Sequence, residues 1–82
     1  MELIEATVRF NSDGEITPLS FVWRGRSYTV VSTGRRWQAK DGVHILVMGP
    51  GDKVYHLLFS PEEMRWKILI DEQSLSGPPF AA

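Results

Sequence analysis

Two histidines, His44 and His56, have the most adaptable chemistry in this chain, since imidazole carries protons and binds metals near neutral pH. Each stands in a run of β-forming residues, and the turn-like segment 49–52 joins the two runs. A hairpin register that pairs Met48 with Asp52 places the two imidazoles opposite each other. Because a stable metal site needs three or four ligands, we interpret the histidines as a cross-strand pair and predict no metal ligands. A metal role is the alternative.

Nucleophilic and acid–base catalysis find little support in the sequence. The chain has no cysteine, and its serines fall in predicted turns or on strand faces without a histidine and an acid in a recognisable arrangement. Glu62 and Glu63 follow Ser60-Pro61, a helix-start signature, so we interpret them as helix-start charge rather than as a catalytic pair. We therefore predict a non-enzymatic protein with no catalytic residue and no cofactor.

The segment from Ser20 to Lys40 is basic and aromatic. It carries a formal charge of +5 with no acidic side chain, while the rest of the chain carries −6. Sequence-tolerant nucleic-acid grooves combine cationic side chains for phosphates with flat rings for bases. The residues predicted to contact nucleic acid or another partner are Arg24, Arg26, Arg35, Arg36, Trp37 and Lys40. The alternative is ordinary hairpin packing, with a solvated basic turn and Arg26 laid across the Trp23 ring.

A β-hairpin must position much of this segment. If Arg24-Gly25 is a two-residue turn, Trp23 lies opposite Arg26 and Phe21 lies opposite Tyr28. Period-two alternation then directs Ser20, Val22, Ser27 and Thr29 to the other face. The pattern predicts that the Phe21 and Tyr28 rings lie side by side in the core.

Other strands follow from alternation and turn residues. Ile4 to Phe10 predicts a half-buried first strand, and the hairpin's second arm is expected to continue through Ser32 until Gly34 interrupts it. The segment 35–42 is ambiguous: one interpretation begins a short strand at Trp37, and Asp41-Gly42 has the form of a tight turn leading into Val43. Later strands are predicted at 43–48, 54–59 and 66–70.

Five or six short strands joined by tight turns predict an all-β fold. We expect an antiparallel meander curled into a small, open SH3-like barrel, with one short helical turn near 60–64. The predicted domain covers 1–72, and the Ser-, Gly- and Pro-containing stretch 73–82 is expected to be a flexible tail. Because both faces of the 43–59 hairpin are apolar, a dimer packed through the spare face is the alternative to barrel closure.

Composition limits the compartment. A chain of 82 residues with 43% hydrophobic side chains is too apolar to be a disordered tail. The lack of cysteine excludes a disulfide framework and favours a reducing compartment. No apolar run approaches the roughly 20 residues of a membrane span, and no leader pattern is visible at the start. We expect a cytoplasmic protein with no membrane association.

The order of aromatic and basic residues resembles a small bacterial family of unknown function. The resemblance spans roughly Ile4 to Asp71, and it is most specific in the Trp-Arg-Gly-Arg-x-Tyr hairpin. It rests on Phe21, Trp23, Arg24, Gly25, Arg26, Tyr28, Val30, Arg35, Arg36, Trp37, Arg65, Trp66 and Ile68. Similar domains occur as short proteins and at the C-terminal ends of relatives of Y-family translesion DNA polymerases. The resemblance implies an association with DNA repair without implying a reaction.

These observations together predict an accessory or binding module. The partner expected first is DNA, RNA or a replication or repair protein, bound through the basic aromatic hairpin. The alternative is a protein-interaction module or homodimer that uses a strand edge or the apolar 43–59 hairpin.

Overall fold

The computed structural model describes residues 2–69, and these form one curled antiparallel sheet of seven strands. The strands are β1 (Glu2–Phe10), β2 (Ile16–Trp23), β3 (Arg26–Thr29), β4 (Ser32–Ala39), β5 (Gly42–Met48), β6 (Val54–Ser60) and β7 (Arg65–Leu69). Their order across the sheet is β3-β2-β1-β7-β6-β5-β4. Among the described residues, no helix is long and apolar enough to cross a membrane.

The predicted β2–β3 hairpin is confirmed in its register. Trp23 pairs with Arg26 and Phe21 pairs with Tyr28. Arg24 and Gly25 both have positive φ, 52° and 77°, as a primed two-residue turn requires. The Phe21 and Tyr28 rings stack with centroids 5.2 Å apart and planes 13° apart.

Contacts between distant strands show how strongly the sheet curls. Two strands separate β2 from β6, yet Tyr55 of β6 contacts the ring of Phe21 at 5.4 Å and that of Trp23 at 6.2 Å. A flat sheet would hold strands three positions apart at roughly 14 Å. The sheet is therefore a half-barrel whose inner face holds the core, including Phe21, Ile45, Val47, Tyr55, Leu57, Phe59, Trp66 and Ile68.

Strand β1 divides its pairing between two neighbours. Residues 2–4 pair with β7, whereas residues 5–10 pair with β2. A register shift in the β1–β2 ladder leaves one extra residue on β2 beside Pro18. Pro18 therefore lies inside β2 and not at a strand start, where a proline is usually tolerated best.

Strand β4 and the helical turn differ from prediction. Gly34 does not end a strand. It lies within β4, where a register shift between Thr33 and Arg36 forms a bulge. Residues 61–64 form a turn rather than a helix, because Ser60 and Arg65 are paired and only four residues connect them. The single described helical element is the 3₁₀ turn Pro50–Asp52.

The β5–β6 register also corrects an expectation. Met48 pairs with Val54 instead of Asp52, because the connection runs from Gly49 to Lys53 and is closed by a hydrogen bond from the Gly49 amide to the Lys53 carbonyl, 2.8 Å. His56 consequently pairs with Leu46, and His44 is its diagonal neighbour. The predicted tail at 73–82 lies outside the described residues.

Candidate binding edge

The two terminal strands of the sheet present main-chain edges that are short or irregular. β3 has four residues, too few for extended pairing with another chain. β4 is longer but carries the bulge before Arg36. Short strands and bulges are devices that limit edge-to-edge association.

The Arg36 side chain bridges β4 to the start of β2 across the open side of the half-barrel, which we call the seam. Its guanidinium donates a hydrogen bond to the Ile16 carbonyl at 2.8 Å and lies 3.5 Å from the Glu15 carboxylate. Below this bridge is a cleft of about 340 Å³, lined by Gly14, Glu15, Ile16, Arg36, Trp37, Gln38 and Val43. Arg36 thus occupies an acceptor that an added strand would need.

Pro18 protects the same seam by another means. The Asn11 amide bonds to the Glu15 carbonyl, so the alternation of antiparallel pairing directs the main chain of Ile16 and of residue 18 away from β1. The Pro18 nitrogen therefore faces the seam, where it costs no bond to β1 and offers no donor to another strand. This orientation explains how proline is tolerated within β2.

The second half of β1 has a different edge. By the same alternation, the N–H and C=O groups of Ala6, Val8 and Phe10 point away from β2, towards the side that β7 covers only at residues 2–4. Within residues 2–69 no strand pairs with them there. We call the main-chain groups of Ala6, Val8 and Phe10 the β1 edge.

Exposed apolar side chains border the β1 edge. Phe10 is 64% exposed, Leu3 57% and Met64, in the β6–β7 turn, 71%. A groove of about 440 Å³ opens where β1 separates from β7, lined by Leu3, Ile4, Glu5, Ala6, Met64, Arg65 and Trp66. Phe10, predicted to be half-buried with the rest of its strand face, is instead the most exposed residue of that face.

At the tip of the β2–β3 hairpin, Arg24 contacts Glu2 and Trp23 of the same chain. Its Nε donates to Glu2 Oε1 at 3.1 Å, the same oxygen accepts from the Trp23 indole at 3.1 Å, and a second Arg24 nitrogen binds Oε2. The Arg24 hydrogen bond holds the pKa of Glu2 below its usual value. The guanidinium also lies 4.8 Å from the Trp23 ring centre, the position that the sequence had suggested for Arg26.

The six predicted contact residues do not form one surface. Arg24 lies beyond one end of β2, and Arg36 contacts the other end at Ile16, so about 23 Å of strand separates them. Arg26 is exposed on β3 and Lys40 is exposed in the β4–β5 turn. The structure brings together only Arg35 and Trp37, with the guanidinium 5.4 Å from the ring centre.

Trp37 covers a chain of three hydrogen-bonded groups on the outer face. Its ring stacks on His44 at 5.1 Å and 8°. His44 Nε2 bonds to Asp41 Oδ1 at 2.8 Å, and His44 Nδ1 bonds to His56 Nε2 at 2.7 Å. The hydrogen bond from His44 lowers the pKa of Asp41. Asp41, His44 and His56 thus tie the β4–β5 turn to β5 and β6.

The contacts among Asp41, His44 and His56 are those of a structural hydrogen-bond network. If Asp41 is ionised, His44 must donate through Nε2, and a neutral His44 then accepts from His56 through Nδ1. Both ring nitrogens of His44 and the Nε2 of His56 therefore form hydrogen bonds within this network. Among the described residues, no group of three histidine, cysteine, aspartate or glutamate side chains could hold a metal ion.

The apolar 43–59 hairpin is covered on both faces. Leu57 and Phe59 face the core, while Leu46 and Leu58 on the outer face are 7% and 1% exposed. Its side chains are therefore not an exposed apolar patch. The free main-chain groups of β1 could not be predicted from the sequence, because they depend on where β7 begins, and no local pattern in residues 2–10 determines that position.

Comparison of the chain with protein-family models, with curated proteins and with solved structures found no match.

Proposed function

We propose that this domain is a non-enzymatic binding module that takes up an extended polypeptide segment along the β1 edge by strand addition. The observation that carries the proposal is that Ala6, Val8 and Phe10 have no strand partner on one side among residues 2–69. In strand addition, main-chain hydrogen bonds provide affinity, and alternate side-chain positions provide specificity.

The side chains around this edge support the same function. Leu3, Phe10 and Met64 are large, apolar and exposed, and the groove beside Ala6 can receive side chains of an added strand. Two charged residues beside the edge, Glu5 and Arg9, have opposite signs. Following the family resemblance, we propose that the partner is a protein of DNA replication or repair, which implies a cytoplasmic location.

Peptide selection tests the proposal. Displayed ten-residue peptides that bind the full chain should change the amide resonances of Ala6, Val8 and Phe10, because these N–H groups gain acceptors. Phe10→Lys should weaken binding at least about tenfold, since it removes an apolar contact and charges the edge. Thr33→Lys, an equal charge change at an exposed site on β4, is the matched control. Peptide binding that Phe10→Lys leaves unchanged would overturn the proposal.

Nucleic-acid binding is the second candidate, on a smaller surface than the sequence had suggested. Arg35 lies over Trp37, and neither Arg35 nor Lys40 forms an ion pair with the described residues. A cation and a ring on one strand are the elements that bind single-stranded nucleic acid. Arg24 and Arg36 are excluded from this version because both are engaged within the molecule.

Charge reversal separates the two candidates. If nucleic acid binds here, Arg35→Glu with Lys40→Glu should lower affinity for single-stranded oligonucleotides and reduce the salt dependence of binding. The control, Lys53→Glu with Arg26→Glu, makes the same charge change at exposed sites away from Trp37. Equal losses in both double variants would indicate non-specific attraction and remove this candidate.

A further inference from the structure

We infer that a second copy of this chain can occupy the β1 edge, with the two β1 strands antiparallel about a two-fold axis at Val8. This inference rests on the proposed function, because it places a second copy on the same edge that the proposed function gives to a partner's strand.

The free main-chain groups select that register. Antiparallel pairing about Val8 joins Val8 to Val8 and Ala6 to Phe10 of the second copy, so every group of the β1 edge finds a partner, in about six hydrogen bonds. An axis at Thr7 would set Phe10 against Ile4, and Ile4 already pairs with Trp66 of β7. An axis at Ala6 would direct Val8 to the same occupied site. Val8 is therefore the centre that uses the whole edge without displacing β7.

The exposed face of β1 has complementary charges in this register. Glu5, Thr7 and Arg9 alternate on the outer face, and all three are exposed. Pairing about Val8 sets Thr7 opposite Arg9 of the second copy and makes Glu5 its diagonal neighbour, within reach of the guanidinium. Two symmetric Glu5–Arg9 contacts result. A two-fold interface requires such self-complementarity, because each surface meets its own copy.

The inner face of the paired strands brings Phe10 to the groove of the second copy. Phe10 lies opposite Ala6 of the second copy, and Ala6 lines the groove together with Leu3 and Met64. Phe10, Leu3 and Met64 are three of the most exposed large apolar side chains described. Pairing would cover Phe10 and bring its ring to the part of the groove beside Ala6 and Met64, whereas Leu3 lies on the outer face of β1.

Cysteine cross-linking tests the register cleanly because the native chain has no cysteine. Thr7→Cys and Arg9→Cys both lie on the exposed face and avoid the core. In the proposed pair, residue 7 of one copy faces residue 9 of the other at about 4.5 Å between Cα atoms. Two copies of residue 7 are about 8 Å apart, beyond disulfide reach, as are two copies of residue 9.

A mixture of the two single variants in a glutathione redox buffer should form at least about fivefold more disulfide dimer than either variant alone. The wild-type chain should show concentration-dependent mass in sedimentation, and Phe10→Lys should lower self-association at least about tenfold. Cross-linking of Thr7→Cys alone would overturn the register. A monomer at all concentrations with no mixed disulfide would overturn self-pairing, yet selected peptides could still bind the β1 edge. Loss of both would overturn the proposed function as well.

Discussion

Antiparallel pairing stops at both the seam and the β1 edge, yet the main-chain groups are protected at the seam and unprotected at the β1 edge. At the seam, Arg36 donates to the Ile16 carbonyl, and Pro18 offers no donor. At the β1 edge, no side chain of the described residues forms a hydrogen bond with the main-chain groups of Ala6, Val8 and Phe10. None of these three positions is a proline. Since unprotected edges tend to associate, this contrast within residues 2–69 supports the β1 edge as the proposed binding edge.

The difference also shows that a basic residue can serve the fold instead of a partner. Arg35 and Arg36 are adjacent in sequence, but successive side chains of a strand point to opposite faces, so Arg35 lies over Trp37 while Arg36 crosses the seam. Counting both as one cationic patch overstates the charge available to a ligand.

The largest expected effect comes from breaking the curl on which both edges depend. Phe21→Ala removes a ring that is 1% exposed and contacts both Tyr28 and Tyr55, so it should lower the free energy of unfolding by about 3 to 5 kcal/mol. Urea unfolding followed by tryptophan fluorescence measures the change. Leu19→Ala, at a 41% exposed site on the same strand, is the control and should cost far less.

Removing proline from the seam should have an intermediate effect. Pro18→Ala restores an N–H that faces the seam and leaves a small void at a buried site, so we expect a loss of about 1 to 2 kcal/mol. It should also raise self-association, measured by light scattering, because the seam gains a donor. A stabilised variant with unchanged association would show that Pro18 does not protect this edge.

Arg36→Ala removes the bridge across the seam and should lower the free energy of unfolding by about 1 kcal/mol. The Ile16 carbonyl loses its hydrogen-bond donor, and water can partly replace that donor at this half-buried site. Amide hydrogen exchange near residues 14–18 should become faster. Arg35→Ala changes the neighbouring cation without touching the seam, and its effect should stay within about 0.5 kcal/mol. Equal costs in the two variants would contradict the separate roles assigned to them.

The smallest expected effect is a loss of folding stability in acid that arises from two carboxylates away from the seam. Glu2 and Asp41 have pKa values lowered in the folded state, by the Arg24 and His44 hydrogen bonds respectively. Their contributions are thus present above the unfolded pKa values near 4 and are lost as pH falls through the lower folded values. Urea midpoints between pH 2 and 6 should fall with acid, less steeply in Asp41→Asn. An unchanged slope in that variant would contradict the assignment.

The sequence predicted the parts of the fold that local patterns control. The Arg24-Gly25 turn determined the β2–β3 register because a two-residue connection leaves no freedom in pairing. The stacking of Phe21 on Tyr28 followed directly. The expectation of a curled all-β sheet was confirmed, since short strands separated by tight turns leave few alternatives.

Features that depend on non-local pairing could not be predicted in the same way. The His44–His56 register was wrong because the connection after Met48 is longer than a tight turn, although the two imidazoles still meet. The exposure of Phe10 depends on where β7 ends its pairing with β1, about 60 residues away. The engagement of Arg36 depends on the Ile16 carbonyl, 20 residues away in the chain, which the closing of the seam brings within reach.

The division of β1 between β2 and β7 also affects how the chain folds during synthesis. The β1–β2–β3 and β4–β7 groups are built from sequence neighbours, so each can form soon after it leaves the ribosome. Residues 2–4 must wait for residues 66–68, whose pairing closes a loop of nearly the whole described chain. This pairing has the longest sequence separation in the sheet, and until it forms the entire length of β1 lacks its second neighbour.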